Sequence, residues 1–189
     1  GNLGHLPLVR GLNFHLYGDY GLNVFNSRSL AYLKDKELES ACVSFELRFA
    51  QIRDLKKVLR AEAIVYGRLP LMIAENCLVQ NETGCRLDRQ GPCVPEDGPC
   101  RCGQPNVLVD RTGAAFPLLP AYGHRTEIQN SKPLYLADRP EHRRLGLAYA
   151  RLRFTTETAE ECVSVVQNYL DAAPAAGDFT RGLYERGVE

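Results

Sequence analysis

The 189-residue sequence has no net charge, no apolar run long enough to cross a bilayer and no cysteine pair spaced CxxC. Each absence removes a class of function. Basic and acidic residues stand at 23 each, so no global field draws the chain onto nucleic acid or an anionic membrane, although a local basic patch stays open. A spanning helix needs about 20 consecutive apolar residues, and the opening GNLGHLPLVRG lacks the charged start and apolar centre of a signal peptide. The expectation is therefore a cytoplasmic protein with no membrane partner. The chain also opens on Gly1 rather than methionine, in a segment that reads as the end of an element, and so is expected to be an excised or incomplete piece. Paired CxxC knuckles are absent, which argues against a zinc ribbon. A Ser-His-Asp order, an HExxH motif and a paired-aspartate segment are absent too, so no machinery for hydrolysing a peptide bond is recognisable.

What is present is an ordinary globular composition, 44% apolar and 24% charged, with enough length for one domain and its core. Seven cysteines is an odd number, and Cys77, Cys85, Cys93, Cys100 and Cys102 crowd together in a stretch rich in Gly, Pro and charge. A disulfide framework would be spread through a small secreted chain. Cys42 in SACVSFEL and Cys162 in TAEECVSVVQNYL read as small buried hydrophobes on a strand and a helix.

Apolar runs alternate with segments of helical period. NFHLYG is strand-like, and SLAYLKDKEL behind a Ser27 cap is helical. ACVSFEL reads as a buried strand, and RFAQIRDLKKVLR as an amphipathic helix with Phe49, Ile52, Leu55 and Leu59 on one face. AEAIVYG is the next strand. After Gly67 the alternation stops and a Cys-rich excursion begins, assigned to residues 68–135 within a single domain 1–189. It contains NVLVDRTGAAFPLL, a β-hairpin turning at Thr112 and Gly113. The alternation resumes with DRPEHRRLGL as a helix, YARLRF as a strand and TTETAEECVSVVQNYLDAA as a helix capped at Thr155 or Thr156. Four βα units in series predict an α/β fold with parallel strands, suiting half of a (β/α)8 barrel or a small open sheet.

GDYGLNVFNS, YGRLPLMIAENC, VDRTGAAFPL, EIQNSKPLYL, RLRFTTET and FTRGLYERGVE, in this order and over nearly the whole chain, resemble peptidase family U32, the collagenase-like proteases. The resemblance implies a (β/α)8 TIM-like barrel of which this chain is the C-terminal half, with strands five to eight around His15, Val43, Ile64 and Leu152. The implied partner is the N-terminal half of the barrel, as an upstream segment or a separate chain. A half barrel left alone exposes two strand edges and is expected to pair or aggregate.

Thiolates are soft ligands suited to zinc, copper or iron–sulfur clusters, and wide irregular spacing is compatible with a cubane whose ligands come from separate turns. Several members of the family hold a [4Fe-4S] cluster on four cysteines. Carried over, Cys77 is the first ligand, Cys85 the second, and Cys100 or Cys102 the third, with an inserted stretch around Cys93 blurring the match. The sequence departs from the pattern at the fourth, where relatives carry a cysteine before RxxI and YGHRTEI has His124. Imidazole ligates iron in Rieske centres; alternatively a surplus cysteine completes the site and His124 is a surface residue. Zinc is the alternative metal.

In a TIM-like barrel the site lies at the C-terminal strand ends. The residues there are Asp19 and Asn23, Glu46, Arg68, and Arg153 with Glu157, of which Asp19, Asn23, Glu46, Arg68 and Arg153 are the candidate catalytic set. Asp19 and Asn23 also suit a tight turn beside Gly18 and Gly21, and Arg153 suits bidentate binding of a carboxylate or phosphate. The family includes proteins that hydroxylate RNA bases or quinone precursors. The clustered cysteines therefore imply an iron–sulfur hydroxylase-type enzyme acting on RNA or a small aromatic, with a collagenase-like peptidase or a non-catalytic cluster-binding module as alternatives.

Overall fold

The computed structural model describes residues 2–9, 11–83, 101 and 104–187. These form two compact units: one of Gly1–Gly67, Leu134–Arg153 and Ala159–Glu189, the other of Arg68–Pro133 and Phe154–Thr158. No described helix is long and apolar enough to cross a membrane.

The first unit is built on parallel strands. β1 (Tyr17–Gly18) pairs with β2 (Ser40–Cys42), and β2 with β3 (Arg60–Gly67), all parallel. A later strand, Tyr149–Leu152, is also parallel to β3, with Glu62 opposite Tyr149 and Ile64 opposite Arg151. The mixed α/β class and the parallel order expected from the sequence are both present. β3 is buried almost throughout, which suits a strand covered on both faces. The strand expected around His15 instead starts at Tyr17, and His15 pairs with Glu39 at the surface.

Of the first three helices two follow the sequence with corrected limits, and the first was not expected. α1 is a single turn, Leu6–Val9, and α2 spans Ser27–Asp35. Its cap is Asn26, one residue before the expected Ser27: the Asn26 side-chain Oδ1 accepts the Ser29 amide at 3.0 Å. Leu30 and Leu33 bury its inner face. The next helix, α3, stops at Phe49–Asp54 rather than running to Arg60. Leu55 turns extended, and the Lys57 ammonium bonds the Ile52 carbonyl at 2.6 Å, placing a cation on the open C-terminal carbonyls. The amphipathic period past Leu55 is spent on entry into β3, where Leu59 is buried.

The second unit is an antiparallel sheet in the order β4-β7-β6-β5, formed by β4 (Pro70–Ala74), β5 (Asn106–Val109), β6 (Ala115–Ala121) and β7 (Arg125–Gln129). The hairpin expected around Thr112 and Gly113 is β5–β6, with Val109 opposite Ala115. Asp110 closes it by accepting the Thr112 and Ala114 amides at 2.7 and 3.0 Å. The helix α4 (Leu78–Thr83) follows β4.

The remaining elements complete the first unit. β8 (Leu134–Tyr135) runs antiparallel to the end of β3, and β9 is the strand Tyr149–Leu152 already described. DRPEHRRLGL forms a short 3-10 turn, Pro140–Arg144, rather than a full helix, with Pro140 in its first turn. α5 spans Ala159–Asp171, so its start lies beyond Thr155 and Thr156, whose amides bond Glu157 at 2.7 and 3.0 Å. The C-terminal FTRGLYERG is tied down at two points. Arg181 makes a bidentate pair with Asp138 at 2.5 and 2.7 Å, which draws the Asp138 carboxyl below its usual range. Tyr184 is buried and donates its hydroxyl to the Ile64 carbonyl at 2.6 Å.

Two backbone positions give opposite stability tests. Glu37 sits at φ 63° just past α2, where the Leu38 amide returns to the Leu33 carbonyl, a helix ending that favours glycine. Gly67 sits at φ 119°, and a Cβ there would lie 2.0 Å from the Arg153 carbonyl oxygen. Chemical denaturation is expected to show Glu37→Gly stabilising by about 0.5–1 kcal/mol. Gly67→Ala is expected to destabilise by more than about 2 kcal/mol.

Candidate functional site

Asp19 directly follows β1, Cys42 ends β2, Glu62 lies on β3 and Arg151 on β9. The register sets Cys42 opposite Glu62 and places Arg151 opposite Ile64, two residues beyond Glu62 on the same face. Arg151 joins the set: one arm of its guanidinium bonds Asp19 Oδ1 and the other bonds Glu62 Oε1. Glu62 is buried, with its side chain 10% exposed, whereas that of Asp19 is 46% exposed. The ionic chain therefore runs from the interior to the surface.

Its reach says something about the sheet. β1 and β9 are separated by β2 and β3, about 14 Å sideways if the sheet were flat, and Arg151 lies further along its strand than Asp19. A contact between them requires the sheet to curve toward the face that carries both. Arg153, two residues on and on the same face, lies over the Tyr20 ring at 5.5 Å, and Tyr20 packs against Phe45 with centroids 6.0 Å apart. Two arginines of the last parallel strand thus meet residues next to the first.

Local turns hold these groups. Asp19 caps a 3-10 turn, Tyr20–Leu22, its Oδ1 accepting the Tyr20 amide at 2.8 Å. Asn23 ends that turn at φ 49°. The turn role considered for Asp19 and Asn23 is therefore present, and Asp19 has the arginine contact in addition. Glu46 lies half-buried in the β2–α3 turn, its amide 3.4 Å from the Ser44 hydroxyl.

The other candidates fall in the second unit. Arg68 donates to the Asn130 carbonyl at 3.0 Å, to the Ser131 carbonyl and to the Thr156 hydroxyl at 3.3 Å. Cys77 is buried in a small core with Val79, Leu118 and Ile128. Its turn is fixed by Thr126, whose hydroxyl donates to the Asn76 carbonyl at 3.1 Å and accepts the Leu78 amide at 3.0 Å. His124 forms the β6–β7 turn at φ 60°. Cys85, Cys93, Cys100 and Cys102 lie outside the described residues.

The antiparallel register sends three chain segments to one end of this sheet. Ala74 is opposite Thr126, and the Glu75–Arg125 pair at 3.0 Å extends the alignment toward Cys77. The His124 turn closes the same end, and β5 enters from it, after Arg101 and Gln104, whose carbonyls bond the Asn106 amide group at 2.8 and 2.7 Å. Among the described residues no three His, Cys, Asp or Glu converge as a metal site.

Sequence reasoning passed over Arg151 and Glu62. The signals were small but readable: Glu62 is the one charge inside AEAIVYG, and Arg151 and Arg153 alternate in YARLRF so as to share a face. Cys42 was read as a buried hydrophobe, and it is fully buried. Burial pushes its thiol up to about 12, against the opposing pull of Arg151. The raised value keeps the group a neutral thiol throughout the physiological range. Iodoacetamide at pH 8 is therefore expected to modify the half-buried Cys162 well before Cys42 in the native protein, and peptide mass mapping reads the order; equal rates would contradict this placement.

A family model described as peptidase family U32 matches residues 7–110, more than half of the chain. No curated protein and no solved structure matches.

Proposed function

The chain belongs to peptidase family U32, and from that membership we propose an iron–sulfur-dependent, hydroxylase-type enzyme acting on RNA or a small aromatic molecule. The observation that carries this reading is the convergence of three segments on one end of the β4–β7 sheet: the Cys77 turn, the His124 turn and the chain returning at Arg101. Every cysteine of the crowded stretch lies between the first and the last of these along the chain or beside them. Cys77 fits a cluster ligand in being a thiol shielded by Val79, Leu118 and Ile128, since an apolar shell around the sulfur restrains solvent and tunes the iron. In this reading Cys85 and one of Cys100 and Cys102 supply further thiolates, and His124 the fourth ligand. A bound cluster supplies one-electron redox chemistry, which hydroxyl insertion needs and peptide hydrolysis does not. Cys42, neutral and buried, has none of the character of an activated nucleophile.

The same proposal takes the first unit as the C-terminal half of a (β/α)8 barrel working in the cytoplasm. The curvature implied by the Arg151–Asp19 contact supports it. So do the open outer strands: among the described residues β1 and β9 each have one strand neighbour in the parallel set. Val163, Val166 and Leu170 form an exposed apolar stripe on α5. A segment carrying the other βα units would pair both edges and cover the stripe.

Iron and sulfide analysis of anaerobically purified protein tests the cofactor. Cys77→Ala is expected to lose most of the iron, while Cys93→Ala, in the stretch read from the sequence as an insertion, keeps it. His124→Cys should retain the cluster and lower its reduction potential, because thiolate is the stronger donor. Full iron content in Cys77→Ala would overturn the assignment.

A further inference from the structure

We infer that Asp19 is the ligand-facing group of the parallel-sheet site, with Arg151 and Glu62 as its positioning residues, and that it accepts a hydrogen bond from an O–H or N–H on a planar aromatic ring. The two oxygens of Asp19 are used differently. Oδ1 takes both the Tyr20 amide and Arg151, whereas Oδ2 has no hydrogen bond among the described residues. The carboxylate is thus locked in orientation by one oxygen and offers the other at a half-exposed position. A hydrogen bond to an ionised, pre-oriented acceptor is stronger than a neutral one.

Arg151 would not hold that orientation alone. Its second arm is anchored by Glu62, whose buried carboxylate has Arg151 as its cation. Three strands therefore fix one oxygen atom. The next residue along the chain, Tyr20, carries Arg153 over its ring at 5.5 Å and packs on Phe45, so the turn that Asp19 caps presents an aromatic pair. A flat ring that stacks there and turns a donor toward Asp19 satisfies both surfaces. A phenolic ring and a nucleobase edge share this chemistry. The inference deepens the proposed substrate class, but it concerns a site in the first unit and does not depend on the cluster.

The test uses aromatic probes on the full chain, with affinities from ligand-observed NMR titration. Phenol is compared with anisole, and uracil with 1,3-dimethyluracil, each pair differing in the donor. Wild type is expected to prefer the donor-bearing member of at least one pair by roughly ten-fold or more, the scale of one hydrogen bond to a charged acceptor. The pair that shows the preference identifies the source. Asp19→Ala should abolish it. Glu62→Gln should reduce it while leaving the affinity for the donor-lacking member of the pair unchanged, a split that a general loss of stability would not produce. Arg151→Lys should retain part of it. Indifference of both pairs to the donor, or a preference that survives Asp19→Ala, overturns the inference. Iron analysis is unaffected by either outcome, so failure here is separable from failure of the cluster proposal.

Discussion

The guanidinium of Arg151, held between Asp19 and Glu62, is the contact on which the first unit depends. A carboxylate on a strand as buried as β3 is costly unless a cation meets it. Supplying that cation from β9 commits the last parallel strand to lie beside the third. Sharing it with Asp19 draws in the segment after the first. The curvature of the sheet, the placement of the Tyr20 turn and the orientation of Asp19 all follow from one side chain having two partners on different strands.

The second unit is organised by a different constraint. An antiparallel sheet brings alternate loops to the same end, so the turn after β4, the β6–β7 turn and the entry to β5 share one end of the sheet. Thr126 fastens the first of these by bonding on both sides of Cys77. Of the proposed ligands, Cys77 and His124 are both carried by segments at this end of the sheet.

Much of the fold was legible because its elements obey simple periods. AEAIVYG read as a strand, and NVLVDRTGAAFPLL carried both strands and the turn of its hairpin. Limits were less legible where side chains outside the element decide them: α3 ends early because Lys57 takes its carbonyls, and the cap of α2 is Asn26 because its Oδ1 reaches the Ser29 amide. At the site, Asp19 and Arg153 were found from their positions after apolar runs. Arg151 and Glu62 were missed because each lies inside a strand, and their pairing joins residues 89 positions apart. Periodicity reports which face a residue takes, not which distant residue meets it there.

A double-mutant cycle on Arg151 and Glu62, read by chemical denaturation of the full chain, tests the central claim most directly. If Arg151 neutralises a buried carboxylate, Arg151→Met costs about 3–5 kcal/mol with Glu62 present. In a Glu62→Gln background, where no buried charge is left unpaired, the same change costs about 1 kcal/mol or less. Equal costs in the two backgrounds, within about 0.5 kcal/mol, would contradict the account.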